Sequence, residues 1–229
     1  VLWQQDEYGL GIVTGPAHSG PVDIDLDCEE AVFFAPYFLP PTDAVFGRAG
    51  KPKSHYLYRV DTPDFDKQAL NDPTRVSDAT IVEMRGDAGH QTVMPGSLHQ
   101  DTGELIEWQG GVPFPEVSTV PAEILMRAVR KIAAATLVVR HIWQPGYHNE
   151  PAKNISGMLF YLEWSEDEVV EFIQAVMEIQ QHGPVLGFRP ARTVGRPARQ
   201  KRRAVSRRRR PRCHRQKALA RVDGMARYR

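Results

Sequence analysis

Apolar and polar positions alternate with period two in "VDIDLD", residues 22–27. That period predicts a β-strand with Asp23, Asp25 and Asp27 on one face and Val22, Ile24 and Leu26 on the other. The preceding "GLGIVTG" predicts a shorter strand, joined to it by a Gly/Pro/Ser turn. "EEAVFFAPYFL" follows and predicts a helix with Glu29 and Glu30 in its first turn. Residues 44–46 and 55–60 predict two further strands, separated by a basic, Gly- and Pro-containing loop. Residues 61–78 are polar and turn-rich. Residues 80–85 predict a strand that runs into the loop "RGDAGH". "QTVMPGSLH" and "ELIEW" flank "QDTG" in the manner of a hairpin. Residues 1–110 thus predict an α+β domain, rich in strands and loops.

The period changes near Gly110. In "PAEILMRAVRKIAAATLVVR", Leu125, Ala128, Val129, Ile132, Ala133 and Thr136 form a helical stripe. "NEPAKNISGMLFYL" predicts a second helix with Pro151 near its start. "SEDEVVEFIQAVMEI" opens on Ser165 and Glu168, the spacing of a capping box, and Trp164 before the cap is placed to staple onto Val169. Residues 116–181 therefore predict a small all-helical domain. From residue 182 the stripe is lost, and "RPARTVGRPARQKRRAVSRRRRPRCHRQK" predicts a disordered basic tail.

Charge divides the chain along the same line. Residues 1–188 hold 12 Lys and Arg against 27 Asp and Glu, net −15, whereas residues 189–229 hold 17 against one, net +16. A tail of that kind binds nucleic acid or sits in solvent. It also reads as a frame-shifted translation of a G+C-rich gene. No apolar run reaches the roughly 18 residues that a membrane helix needs. The opening "VLWQQDEYGLG" lacks a signal-peptide pattern, and the chain reads as an N-terminally truncated piece of something longer. Cys28 and Cys213 make neither a disulfide framework nor a zinc spacing, and the expected location is cytoplasmic.

Three segments carry candidate chemistry. Carboxylates at alternate strand positions lie roughly 6–7 Å apart and can share divalent metals, which in pairs clamp the two oxygens of a phosphoryl displacement. The plainer reading of the aspartates is the solvated face of an edge strand. Arg48, Lys51 and Lys53 precede His55 and suit a triphosphate. They also suit a solubilising loop beside a structural histidine. Glu83 is an acid on an otherwise apolar strand and needs a partner, a cation or a metal if buried. Arg85 points the same way, and the two also read as a surface pair of little worth. Ser97 and His99 close the third segment, either as functional groups or as ordinary loop polar residues.

Taken in order, "GLGIVTG", "VDIDLD", "LPPT", "FGR", "SHYLY", "VEMRG", "PGSLH" and "GELIEW" form a linked series over residues 9–108. The series resembles the bifunctional primase/polymerase domains of the archaeo-eukaryotic primase superfamily found in phages, plasmids and integrated elements. That resemblance implies a catalytic sheet of the RNA-recognition-motif type beside a smaller α+β unit. It implies Mg²⁺ or Mn²⁺ held by Asp25, Asp27 and Glu83, or by Asp23 and Asp25 if the register shifts by one pair. It assigns His55 to the phosphates of the incoming nucleotide. Arg48, Lys53, Arg85 and His99 follow as nucleotide or template contacts. Residues 120–180 resemble the helical module that often follows such domains, except that Tyr147 stands where arginine is usual and Glu163 where glycine is usual. No "GxxxxGK[ST]" loop is present, so a helicase domain or partner is expected outside this chain.

The expected function is template-dependent nucleotide transfer on single-stranded DNA from nucleoside triphosphates, with no membrane involved. Two alternatives stand beside it: a non-catalytic relic that binds nucleic acid or a partner, and a metal-dependent nuclease. The acidic body has few cations for phosphate, so metals and the basic tail would have to supply the rest.

Overall fold

The structure, a computed structural model, describes residues 9–62, 67–87, 89–113, 115–143 and 149–182. Tyr147 lies outside the described residues, and so does the predicted disordered tail except for His182, which closes a helix. The described residues form nine strands and four α-helices in a mixed, mostly antiparallel arrangement. The chain divides into two compact units, Val1–Leu137 and Val138–Arg229.

In the first unit, β1 (Gly11–Val13) precedes β2 (Val22–Leu26), α1 (Glu29–Phe38), β3 (Val45–Arg48) and β4 (Lys51–Val60). Then come β5 (Gln68–Asn71), β6 (Thr80–Arg85), β7 (Gln91–Val93), β8 (Glu107–Trp108) and β9 (Ser118–Val120). The large sheet runs β5-β6-β2-β4-β3-β8, while β1 and β7 pair as a separate two-stranded sheet. Ten-residue β4 is long enough to serve three partners. One edge carries β2; the other carries β3 along its first half and β9, in parallel, along Tyr58–Val60.

β2 lies between β4 and β6, and all five of its residues are buried. The aspartates therefore do not lie on an edge strand. The opposite face carries Val22, Ile24 and Leu26, each fully buried. α1 packs on β2, and its Ala31, Phe34 and Ala35 are also fully buried. The acid-bearing face is itself partly apolar: Ala44, Phe46, Leu57 and Ile106 form a cluster with Met94, Trp108 and Val117 around it.

Three segments differ from the sequence expectation. The basic loop before His55 is a β-hairpin, in which Arg48 faces Lys51 across the two-residue turn Ala49–Gly50. Gly and Pro signal a break there, but a bulge absorbs the irregularity. The ladder slips between Phe46 and Arg48, Lys53 takes φ 50°, and its N–H is met by Oε1 of Gln109 at 2.5 Å. Gly47 fits this bulge because a Cβ there would sit 2.5 Å from the Lys51 carbonyl oxygen. Within the polar stretch 61–78, β5 forms an edge strand with half its residues exposed, so it shows no apolar run. β9 is too short to carry a period. Around "QDTG", residues 97–106 close a short antiparallel turn through the Leu98–Leu105 bridge. β7 and β8, however, pair with β1 and β3 and not with each other.

α2 (Ala122–His141), α3 (Asn149–Tyr161) and α4 (Glu166–His182) complete the chain order. Every residue of the α2 stripe is buried. The α4 capping box is present: Glu168 N–H donates to Ser165 Oγ at 3.3 Å and Ser165 N–H to Glu168 Oε2 at 3.1 Å. The Trp164 ring meets Phe172 edge-on. Glu163 has φ 63° in the turn that ends α3, a backbone conformation that favours glycine. No helix among the described residues is long and apolar enough to cross a membrane.

Candidate active site

The strand register lines up the site. Directly opposed residues of antiparallel neighbours share a face and nearly touch. Trp108, Phe46, His55, Asp25, Glu83 and Ala69 form one row across β8, β3, β4, β2, β6 and β5. In the next row, Leu57, Asp23 and Arg85 stand opposite one another. Period-two alternation on β2 and β6 thus brings Asp23, Asp25, Asp27, Glu83 and Arg85 to one face, together with His55 from β4.

Asp25, Asp27 and Glu83 each turn one carboxylate oxygen toward a common point, the three atoms lying within 4.8 Å of one another. Cations surround them. Lys51 Nζ lies 3.3 Å from Asp25 Oδ1 and 3.0 Å from Asp27 Oδ1. Arg85 bridges two acids, with Nη2 2.5 Å from Asp25 Oδ2 and Nε 2.9 Å from Glu83 Oε2. Lys67 Nζ is 3.2 Å from Glu83 Oε1. Burial pushes the Glu83 carboxyl up, but the hydrogen bonds from Arg85 and Lys67 outweigh it and hold the pKa below its ordinary value. At Asp27, burial and the neighbouring Asp25 charge raise the pKa, and Lys51 offsets them only in part.

Asp23 has a different environment. It is fully buried, and its carboxylate meets His55 Nδ1 at 3.1 Å and accepts from Thr92 Oγ1 of β7. Burial opposes its charge. The His55 charge, the hydrogen bonds from His55 and Thr92, and then Arg85 together hold its pKa below the ordinary value. Burial likewise disfavours the His55 imidazolium. The Asp23 charge and hydrogen bond, with a smaller push from Asp25, raise its pKa above 6.5. The imidazole stacks flat on Phe46, centroids 4.7 Å apart, and His55 Nε2 is 3.7 Å from Asp25. His55 is thus fixed in plane and position and favours the charged form.

Of the other candidates, Arg48 pairs with Glu104 at 2.9 Å. His99 lies in the turn behind Glu104, its Nδ1 3.2 Å from Thr102 Oγ1. Lys53 is exposed at the bulge. Ser97 is buried and accepts from the Leu10 N–H at 2.7 Å, a structural bond. Sequence reasoning missed Lys67 and Thr92. It saw Lys51 only as a loop cation, because its pairing with the aspartates depends on the β3–β4 turn. Thr92 had a faint signal as the central residue of a short strand next to the "RGDAGH" loop.

A centre of convergent acids balanced by side-chain cations, set mid-sheet in an α+β domain, is an arrangement suited to phosphoryl chemistry with a hard cation. The comparison with known families agrees. The family model described as the N-terminal domain of bifunctional DNA primase/polymerase matches residues 2–123, more than half the chain. The chain belongs to that family, whose activity class is DNA primase/polymerase. No curated protein matches it, and no solved structure does.

Proposed function

We propose that this chain is a template-dependent nucleotidyltransferase that makes or extends a primer on single-stranded DNA, in the replication of a phage, plasmid or integrated element. The observation that supports this most is the convergence of Asp25, Asp27 and Glu83 within 4.8 Å in a member of the primase/polymerase family. An all-carboxylate donor set suits a hard, oxygen-seeking ion, so these residues fit Mg²⁺ or Mn²⁺. Held by these residues, such an ion would supply charge stabilisation for transfer of the α-phosphate to the primer 3′-hydroxyl with pyrophosphate leaving.

The protein's own part is to bind and orient. Asp25, Asp27 and Glu83 hold the ions. Arg85 fixes the Asp25 and Glu83 carboxylates against each other. Asp23 holds His55 through Nδ1, and Phe46 sets the ring plane, which leaves Nε2 as a donor for a triphosphate oxygen. Lys53, exposed on the hairpin, is a second triphosphate contact. Arg48 and His99 join the nucleotide site by exchanging their present partners Glu104 and Thr102. We read the large sheet as one of the RNA-recognition-motif type, a reading that its mostly antiparallel order supports. The catalytic domain expected over residues 1–110 extends through β9 (Ser118–Val120), which pairs with β4, and α3 and α4 act as a separate helical module. The basic residues 189–229 supply template phosphate contacts that the acidic body lacks.

Incorporation of labelled nucleotide on a primed single-stranded template, with Mg²⁺ or Mn²⁺, tests the reading. Template-directed extension supports it. Shortening of the input strand without incorporation selects a nuclease built on the same acids. Neither product would leave a binding relic.

A further inference from the structure

The acids are not bare: each carries a cation supplied by the protein itself. Those cations differ in how firmly they are held. Arg85 rises from the end of β6 and touches three carboxylates, Asp25 at 2.5 Å, Glu83 at 2.9 Å and Asp23 at 4.0 Å. Its planar fork matches carboxylate geometry and is preorganised. Among the described residues, Lys67 pairs with Glu83. Lys51 is the cation that spans the Asp25–Asp27 pair, through Oδ1 of each. It stands at the first position of β4, directly after the hairpin turn, and reaches the acids on a flexible four-carbon stem that is about a quarter exposed.

An ammonium on those two oxygens and a divalent cation shared by the same two carboxylates repel each other, so they exclude one another. We propose that Lys51 is the resident counter-ion of the Asp25–Asp27 pair, and that it swings out when a divalent cation enters. This rests on the reading that Asp25, Asp27 and Glu83 bind the ion, and it adds a built-in competitor to that site. Lys51 keeps the like charges of β2 balanced while the metal is absent. It also sets how much metal is needed to load the centre, because displacing it is part of the binding free energy. Arg85 remains in place through the exchange and preserves the spacing of Asp25 and Glu83.

The experiment is calorimetric titration of the full chain with MnCl₂ in the absence of nucleotide, using the parent, Lys51→Met, Lys51→Arg and Glu83→Gln. Lys51→Met should bind Mn²⁺ about tenfold tighter than the parent, as expected from removing two partly buried ion pairs from the metal-free state. Its melting temperature in EDTA should lie below the parent's, and the gap should close at saturating Mn²⁺. Lys51→Arg restores the competing charge, so it should bind no tighter than the parent. Lys51→Gln replaces Lys51→Met if the latter proves insoluble, with the same expected gain. If Lys51→Met binds Mn²⁺ as the parent does or more weakly, while Glu83→Gln loses binding, Lys51 is not the competitor and the proposal falls although the metal centre stands. If neither the parent nor Lys51→Met binds Mn²⁺, the metal centre itself falls and the proposal with it.

Discussion

Glu104 and the Asp25–Asp27–Glu83 cluster are both carboxylate sites in one unit, yet their charges are balanced by different means. Glu104 stands without a second acid in its bonds. Its Oε1 accepts from the Gly50 main-chain N–H at 2.7 Å, and its Oε2 from Arg48 at 2.9 Å and Thr102 at 3.1 Å. These bonds fasten the turn around residues 99–104 to the β3–β4 turn. At the sheet centre three acids converge, and the partners that the described residues give them are side-chain cations. A main-chain N–H cannot leave without moving the fold, whereas a lysine can rotate away. The first arrangement is a structural fastener. The second keeps negative charge together in a form that an incoming cation can take over.

Breaking the central cluster should have the largest effect. Asp25→Asn is expected to lower nucleotide incorporation by at least about 100-fold, since even residues that only orient metal ligands are worth 10–100-fold. Mn²⁺ titration of the same variant should show lost or strongly weakened binding. His55→Gln should come next: the apparent KM for nucleotide should rise more than the Kd for template, because its Nε2 side faces the centre. A large fall in melting temperature with unchanged kinetics per folded molecule would instead mark His55 as purely structural.

Stability effects are smaller and differ in sign. The Asp27 pKa is raised by burial and by Asp25, so its ionisation costs the folded state at neutral pH. Asp27→Asn should therefore raise the metal-free melting temperature slightly while weakening Mn²⁺ binding. The Asp23–His55 pair works the other way. Asp23, held low mainly against burial by His55, stabilises the fold above its unfolded pKa near 3.8, and this is lost as pH falls through its lowered folded value. His55, raised against burial by Asp23, stabilises below its unfolded pKa near 6.5, and this is lost as pH rises through its raised folded value. Melting in EDTA should weaken along that alkaline limb, and His55→Gln should flatten it. In the second unit, Glu163→Gly should stabilise by roughly 1 kcal/mol, because φ 63° suits glycine. Chemical denaturation would read this directly.

Much of this was legible in the chain. The "VDIDLD" alternation predicts the strand and its acid face, and residues 80–85 match β6 from end to end. The helices follow from their 3.6-residue period and from a local cap at Ser165. Helical signals are complete within a few turns, so the sequence carries them openly. The balancing of the centre was hidden because it depends on register between distant strands. That Lys67 lies on Glu83, or that Thr92 reaches Asp23, follows only once β5 and β7 have found their places. The edge strand β5 gave no apolar run because half of its residues face water. The bulge at Gly47 and Lys53 disguised a hairpin as a loop, since Gly and Pro mark irregular backbone whether or not the strand continues past it.

The central claim is that the convergent acids, and not the Glu104 fastener, carry the chemistry. The most direct test is to compare the parent, Glu83→Gln and Glu104→Gln for labelled nucleotide incorporation at saturating Mn²⁺ and nucleotide, normalised to folded protein. Both substitutions replace a carboxylate by its isosteric amide in the same unit. The account predicts that Glu83→Gln loses at least about 100-fold in kcat, while Glu104→Gln stays within roughly twofold of the parent, because the amide oxygen can still accept from Gly50 N–H and the partly buried pair with Arg48 lies outside the acid cluster. Equal losses in the two variants, or an active Glu83→Gln, would contradict it.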